Sequence, residues 1–197
     1  MNTRALAWEQ PGWSVNALWE TTLQVVKDPA GAITSPPGPE VPLKPFVFAG
    51  LASLASALGA WVVSLGINQG VALGASLGMH LISGLVSWGI FLPILTWILS
   101  LVLDRLFHAP SSDFATCLRT LSYSYVTSVA GIIPIIGGIA ALVWWFWMLM
   151  QMLPALHGLS RKQAFAAACL LLLATLVLTF LLGLIIVGML RPHTLKP

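Results

Sequence analysis

The fold of this chain is decided by residues Ser111 to Ala164, SSDFATCLRTLSYSYVTSVAGIIPIIGGIAALVWWFWMLMQMLPALHGLSRKQA. They form two apolar segments joined by a charge-free turn, Gly131–Gly138, and charged side chains stand only at or near the two ends. A membrane hairpin has this pattern when both of its ends meet water on the same side of the bilayer. We therefore predict that both segments cross a membrane as helices.

The composition of the whole chain is that of a membrane protein. Hydrophobic residues make up 58% of the sequence and charged residues 8%, whereas a soluble domain carries about 25% charged residues. Residues 45–103 contain no Lys, Arg, Asp or Glu. Because one helical crossing takes about 20 apolar residues, this run is long enough for two crossings. A soluble fold is excluded, and the scattered basic residues form no patch for nucleic acid.

Five transmembrane helices account for the apolar segments. The predicted spans are Phe46 to about Gly66, a second that begins between Val71 and His80 and ends at Leu103, about Phe114 to Ile133, Gly137 to about Leu156, and Gln163–Leu190. We expect Pro93 to kink the second span, because proline removes one intrahelical hydrogen bond and crowds the preceding turn. The predicted fold class is an all-α membrane bundle over residues 45–190, with a short tail at residues 191–197.

Residues 1–44 are predicted to form an amino-terminal segment with an amphipathic helix at Trp13–Lys27. Its apolar side carries Val15, Leu18, Trp19, Thr22, Leu23 and Val26, and its polar side carries Asn16, Glu20, Thr21, Gln24 and Lys27. The apolar side either lies in the membrane interface or packs on the protein's own helices, and the two alternatives are compatible. The proline-rich residues 29–45 are predicted to be an extended linker.

The distribution of Lys and Arg predicts the orientation of the bundle. With five spans, seven basic residues fall on one side, namely Arg4, Lys27, Lys44, Arg105, Arg119, Arg161 and Lys162. Only Arg191 and Lys196 fall on the other. Since cytoplasmic loops are enriched in Lys and Arg, we expect the amino terminus in the cytoplasm and the carboxyl terminus outside.

The stretch from Tyr123 to Ala164 resembles the Yip1 family of multi-pass membrane proteins, in its bacterial branch. The resemblance rests on Tyr123-Ser124-Tyr125, on the apolar turn Ile133-Pro134-Ile135-Ile136-Gly137, and on His157-Gly158-Leu159-Ser160-Arg161-Lys162-Gln163-Ala164. It implies a five-helix bundle with a cytoplasmic amino terminus, placed in a bacterial inner membrane. Eukaryotic members resemble trafficking factors that bind small GTPases and one another. The short amino-terminal segment here gives no indication of a GTPase partner.

Arg119 is the one ionisable residue expected at membrane depth, where its insertion would cost roughly 2.5–3.5 kcal/mol. One hypothesis places Arg119, Tyr123 and Tyr125 in a polar cleft that takes an anionic lipid headgroup or a partner helix. The alternative is that Arg119 snorkels to the cytoplasmic surface beside Asp104 or Asp113.

Small residues at four-residue spacing predict close helix packing. They are Ala52, Ser56, Ala60 and Ser64 in the first span and Gly70, Gly74 and Gly78 before the second. Such faces let helix backbones approach each other in lipid. The glycines alternatively belong to a flexible loop.

The sequence contains none of the short motifs that are typical of catalytic, metal-binding or cofactor-binding sites. We therefore expect no enzyme and no cofactor. The first functional hypothesis is a scaffold or accessory subunit that contacts membrane lipids and other membrane proteins, or self-associates. The alternative is a transport or lipid-handling protein with a polar cleft near the third span.

Overall fold

The computed structural model describes residues 5–37, 43–67, 73–133 and 136–190, apart from the side chains of residues 66–67, 73–76 and 185–190. Its helices are α1 (Val15–Lys27), α2 (Pro29–Thr34), α3 (Leu43–Ile67), α4 (Leu73–Val86), α5 (Leu92–Arg105), α6 (Phe114–Ser124), α7 (Ile136–His157) and α8 (Arg161–Leu190). A 3-10 turn at Ala7–Glu9 precedes α1, a π-helical turn at Ser87–Phe91 joins α4 to α5, and a 3-10 segment at Tyr125–Ile132 continues α6. These described residues contain no strand, which confirms the all-α prediction.

Four helical stretches are long and apolar enough to cross a membrane. They are Leu43–Leu65, Leu77–Arg105, Ile136–His157 and Arg161–Leu184. They correspond to the first, second, fourth and fifth predicted spans. The predicted tail at residues 191–197 lies outside the described residues.

The third predicted span has a different structure, because its α-helix ends at Ser124 and continues as a 3-10 helix. The Ser124 hydroxyl donates to the Leu121 carbonyl at 2.7 Å, and the Thr127 hydroxyl donates to the Ser124 carbonyl at 2.8 Å. These side chains return to the carbonyl three residues earlier, which matches the tighter winding of a 3-10 helix. Neither piece alone is as long as the four apolar helices.

The irregularity expected at Pro93 takes the form of the π-helical turn Ser87–Phe91. Proline offers no N–H to the carbonyl four residues earlier, so regular α-helical bonding stops there. The Leu92 N–H instead bonds to the Ser87 carbonyl, five residues back. That carbonyl also accepts a hydrogen bond from the Tyr125 hydroxyl at 2.8 Å, which ties the π-helical turn to the 3-10 segment.

The loops at one end of the bundle are closed by capping interactions. At the start of α6, the Asp113 side chain accepts the Thr116 N–H at 3.0 Å. Burial raises the pKa of Asp113, but its hydrogen bonds outweigh that effect and leave the pKa below its ordinary value. Gly158 has a φ of +67°, a conformation that favours glycine after a helix. The Ser160 N–H then donates to the Gln163 side chain at 2.9 Å and opens α8 as a capping box does.

The amino-terminal segment, residues 5–37, is more regular than the sequence predicted. The expected extended conformation at residues 29–45 is replaced by helix α2 over Pro29–Thr34. The Asp28 side chain accepts the Gly31 N–H at 2.9 Å, and Pro29 occupies the first turn, where its missing N–H costs nothing. Asp28-Pro29 therefore ends α1 and also begins α2.

The buried face of α1 also differs from the predicted one. Thr21 was assigned to the polar side, and this is wrong, because Thr21 and Val25 are fully buried. The Thr21 hydroxyl oxygen accepts the backbone N–H of Trp8 at 2.9 Å, so its polarity is satisfied inside the segment. Val15 and Trp19, predicted on the apolar side, are 80% and 62% exposed.

The amino-terminal segment packs against one end of the helix bundle. The residues that form this contact are Leu6, Trp8, Val25, Ala32 and Ile33 from the segment, and Phe48, Tyr123, Val126, Met148 and Met152 from the bundle. The loop between α5 and α6 lies at the same end, since the buried ring of His157 contacts the Ser111 carbonyl through Nδ1 and the Thr120 hydroxyl through Nε2. A second apolar core joins α5, α6, α7 and α8.

The contact between α3 and the π-helical turn predicts the effect of Gly50→Ala. A Cβ at Gly50 would lie 2.8 Å from Cε2 of Trp88, whose ring N–H is held by the Phe46 carbonyl at 2.8 Å. We expect overpacking to destabilise the fold by about 1–3 kcal/mol and to lower the thermal unfolding midpoint in detergent. The control is Gly78→Ala, where a Cβ meets no atom within 4 Å. Equal midpoints for the two variants would contradict this packing.

Candidate functional site

The Arg119 side chain lies beneath the amino-terminal segment and is 3% exposed. Its Nε donates to Oε1 of Glu9 at 2.6 Å, and its Nη2 donates to Oε2 at 3.0 Å. The guanidinium and the carboxylate therefore form a two-pronged ion pair, the geometry in which arginine binds carboxylates best. Arg119 therefore pairs with Glu9 and not with Asp104 or Asp113, and Glu9 binds the donors that the cleft hypothesis offered to an anionic lipid headgroup or a partner helix.

The remaining donors of Arg119 bind the end of α2. Nη1 donates to the Ile33 carbonyl at 2.7 Å, and Nη2 also reaches the Ser35 hydroxyl at 3.4 Å. One side chain of α6 thus holds both the turn before α1 and the turn after α2. Every hydrogen bond of Arg119 to the amino-terminal segment joins residues more than 80 positions apart in the sequence.

Tyr123 completes the site one turn further along α6. Its hydroxyl donates to Oε1 of Glu9 at 2.9 Å, and its ring meets Phe48 of α3 edge to face, with centroids 4.9 Å apart. We call Glu9, Arg119 and Tyr123 the Glu9 cluster. A buried carboxylate needs charge and hydrogen-bond compensation, and the cluster supplies both.

Lys44 provides a second attachment of the amino-terminal segment, at the start of α3. Its side chain is buried, and Nζ donates to the carbonyls of Gln10 and Gly12, the latter at 2.6 Å. In the other direction, the Trp8 ring N–H donates to the Lys44 carbonyl at 2.7 Å. Nζ also lies 5.4 Å from the centroid of the Trp13 ring, within cation–π range.

Tyr125 was predicted to share a cleft with Arg119, but the structure places it elsewhere. Its hydroxyl donates to the Ser87 carbonyl on the opposite side of the third helix. Two residues of separation turn a side chain by about 200° around a helix, so Tyr123 and Tyr125 point to different neighbours. Only Arg119 and Tyr123 of the three predicted residues lie together.

The small residues of α3 pack against helices of the same chain. The Ser56 hydroxyl donates to the Ser128 carbonyl at 2.7 Å, and the Ala52 carbonyl accepts the Ser128 hydroxyl at 3.4 Å. On the neighbouring face, the Ser53 hydroxyl donates to the Gly84 carbonyl of α4 at 2.9 Å.

The other predicted packing residues have different surroundings. Ala60 lines a cavity between α3 and α4, and the Ser64 hydroxyl bonds the Trp61 carbonyl of its own helix. A Cβ at Gly78 would meet no described atom within 4 Å, so Gly78 makes no close helix contact there. Gly74 lies in α4, and Gly70 falls outside the described residues.

The sequence indicated that Arg119 needs a partner but did not identify Glu9. Six acidic residues were available, and the predicted partners were those nearest along the chain. Two features of the sequence favour Glu9 as the partner. Glu9 lies between Trp8 and Trp13, and Lys44, in the same amino-terminal segment, directly precedes the first predicted span. These signals predict that the segment meets the membrane surface, but they do not fix the pair.

A comparison with protein-family models matches the Yip1 domain over residues 23–183, which is most of the chain. The chain belongs to the Yip1 family. Searches of curated proteins and of solved structures return no match. The Yip1 match includes Arg119 and Tyr123, whereas Glu9 precedes it. The resemblance to the Yip1 family is therefore confirmed, while its bacterial branch stays a prediction. The acidic partner of Arg119 comes from outside the matched region.

The Glu9 cluster predicts a strong effect of Glu9→Gln in this Yip1 protein. The substitution leaves a buried guanidinium without its countercharge, which costs about 3–5 kcal/mol. We expect the amino-terminal segment to detach and to be cleaved faster by a protease that acts on the detergent-solubilised chain. The double variant Glu9→Gln/Arg119→Gln removes both charges and should recover part of the protection.

The matched control for this experiment is Glu20→Gln, which changes an exposed carboxylate on α1. Its cleavage rate should equal that of the wild type. Equal cleavage rates for Glu9→Gln and Glu20→Gln would show that the ion pair does not hold the segment.

Proposed function

We propose that this Yip1 family member is a non-enzymatic scaffold or accessory subunit of a membrane assembly, with its amino-terminal segment as a fixed platform. The observation that carries the proposal is the Glu9 cluster, which joins the segment to α6 through a buried, two-pronged ion pair that Tyr123 also contacts. Such a pair contributes positional specificity more than stability. A rigidly held surface at the end of a bundle suits the binding of another protein or a second copy.

We propose that α6 and the 3-10 segment together make a fifth crossing. At 1.5 Å per α-helical residue and 2.0 Å per 3-10 residue, Phe114–Ile132 extends about 33 Å, close to the thickness of the hydrocarbon core. The four apolar helices and this element then form five crossings, as the sequence predicted. The water-facing loops that follow α5 and α7 would share one side with the amino-terminal segment.

The proposed orientation places that side in the cytoplasm. The described basic residues Lys27, Lys44, Arg105, Arg119, Arg161 and Lys162 belong to this end of the bundle. This concentration of positive charge supports a cytoplasmic amino terminus and an external carboxyl terminus. A bacterial inner membrane is the proposed location.

The exposed face of α1 is proposed to contact membrane lipids or a partner. Trp13, which precedes α1, and Val15 and Trp19 of α1 are exposed. Val15 and Trp19 also line an open groove with Phe48 and Leu51 of α3, while α1 itself packs on α2 and on the turn Ala7–Glu9. Tryptophan is enriched at the headgroup level of membranes, and the Glu9 cluster fixes α1 near that level. The exposed side chains of Trp13 and Trp19 are therefore available to contact lipid or a partner while the amino-terminal segment stays folded on the bundle.

The alternative of a lipid-handling or transport protein with its cleft at Arg119 has less support. Glu9, Ile33 and Ser35 accept four hydrogen bonds from the guanidinium, and Arg119 is nearly inaccessible. An anionic headgroup would have to displace the amino-terminal segment. A small-GTPase partner is not part of the proposal, since no described contact surface favours one.

The scaffold proposal predicts a defined assembly in the native membrane. Protein extracted with a membrane-solubilising polymer should have a discrete mass above that of one 21.1 kDa chain, as measured by mass photometry and native mass spectrometry. Glu9→Gln should shift the population toward single chains, because the platform is no longer held. Glu20→Gln should leave the assembly unchanged.

The contradicting result is a wild-type protein that is extracted as single chains carrying only lipid. This result would contradict the scaffold proposal, whether or not Glu9→Gln also behaves as a single chain.

A further inference from the structure

A hydroxyl-lined cavity of about 180 Å³ lies between α3, α4 and the 3-10 segment. We call it the serine cavity. Its polar lining residues are Ser53, Ser56, His80, Ser83, Ser87 and Ser128, and Ala57, Ala60 and Gly84 complete it. It lies away from the Glu9 cluster, which is at the opposite face of the third helix.

Three of these polar residues stand on one face of the second apolar helix. His80, Ser83 and Ser87 are spaced at i, i+3 and i+7, the spacing that aligns side chains along a helix. Ser87 already shares a hydrogen bond with the Tyr125 hydroxyl. His80 and Ser83 make no hydrogen bond to any residue that the structure describes, although both line the cavity.

Polar groups without a partner are costly within a membrane. A hydroxyl or imidazole that faces hydrocarbon loses its hydrogen bonds to water, so such groups pair with something else. His80 lies about two turns into α4, which begins at Leu73, so the cavity lies toward the end of the bundle opposite the amino-terminal segment. Its occupant must therefore supply hydrogen bonds.

The lining also specifies the charge of the occupant. None of the residues that line the serine cavity is Lys, Arg, Asp or Glu. A phosphate or carboxylate group would lie there without a countercharge, which is strongly unfavourable. Hydroxyl and carbonyl oxygens, in contrast, match serine and histidine side chains that both donate and accept hydrogen bonds.

We propose that the serine cavity binds an uncharged group that bears hydroxyl and ester carbonyl oxygens, as the neck of a glyceride lipid does. A second cavity of about 240 Å³ shares Ser87 and Ser128 with it. The surface of this second cavity is mostly apolar and includes Leu95, Leu142 and Trp145, although Tyr125, Thr127 and Thr175 also line it. The polar compartment suits the glycerol neck, and the apolar compartment suits an acyl chain. This pairing favours a lipid over a free polyol.

The site is tested on the full-length protein in phosphatidylcholine nanodiscs with a diacylglycerol that carries a photoreactive group next to its ester bonds. Mass spectrometry of the cross-linked peptides should locate the label on residues 50–65 and 77–92. In His80→Leu/Ser83→Val the labelling of these peptides should fall at least fivefold, since each lost hydrogen bond of about 1 kcal/mol is worth that factor. Ser64→Ala, whose residue does not line the cavity, should label like the wild type.

Competition separates the possible sources of the same chemistry. Excess unlabelled diacylglycerol should abolish the labelling, and glycerol should leave it unchanged; this result supports a lipid as the occupant. If glycerol also competes, the site belongs to a soluble polyol. Equal labelling by a phosphatidic acid probe of the same design would overturn the inference that the group is uncharged. Labelling that is unchanged in the double variant would show that the probe reacts from the surrounding bilayer and not from the cavity, and would overturn the proposal.

Discussion

The pairing of a buried arginine with a distant carboxylate is the constraint on which this structure depends. Arg119 lies buried in the middle of α6, where an unpaired guanidinium is costly. Glu9, 110 residues earlier, supplies the countercharge, and the chain before the first long helix has to fold over the bundle to bring it there. This requirement explains why α1 and α2 lie over the end of the bundle. Lys44 and the exposed Trp13 and Trp19 belong to the same folded segment or to its attachment.

The sequence predicted the long apolar helices well because their signal is local. A run such as residues 45–103 has to cross a membrane wherever its neighbours lie. The sequence did not predict the 3-10 segment, since the hydroxyls of Ser124 and Thr127 redirect the backbone only through specific short-range bonds. The buried face of α1 was missed for a related reason: Thr21 looks polar in a helical projection, but the Trp8 N–H satisfies it. The partner of Arg119 was missed because an ion pair between distant residues leaves no spacing pattern.

The third helical element carries two polar sites on two sides. Arg119 and Tyr123 face the amino-terminal segment, and Tyr125 and Ser128 face α3 and the π-helical turn. The change from α-helix to 3-10 helix at Tyr125 falls between them. The guanidinium of Arg119 and the hydroxyls of Tyr123, Tyr125 and Ser128 thus connect the third predicted span to its neighbours. The Yip1 match covers this element, so the same polar groups belong to the part of the chain that defines the family.

Hydrogen–deuterium exchange of the protein in lipid nanodiscs tests the central claim most directly, because it reports whether the amino-terminal segment is folded onto the bundle. If the ion pair holds the segment, the amides of α1 and α2 exchange slowly, with protection comparable to that of α6. In Arg119→Gln this protection is lost, while the exchange of α8 is unaffected. Rapid exchange across residues 15–34 of the wild type, alongside a protected α6, would contradict the account.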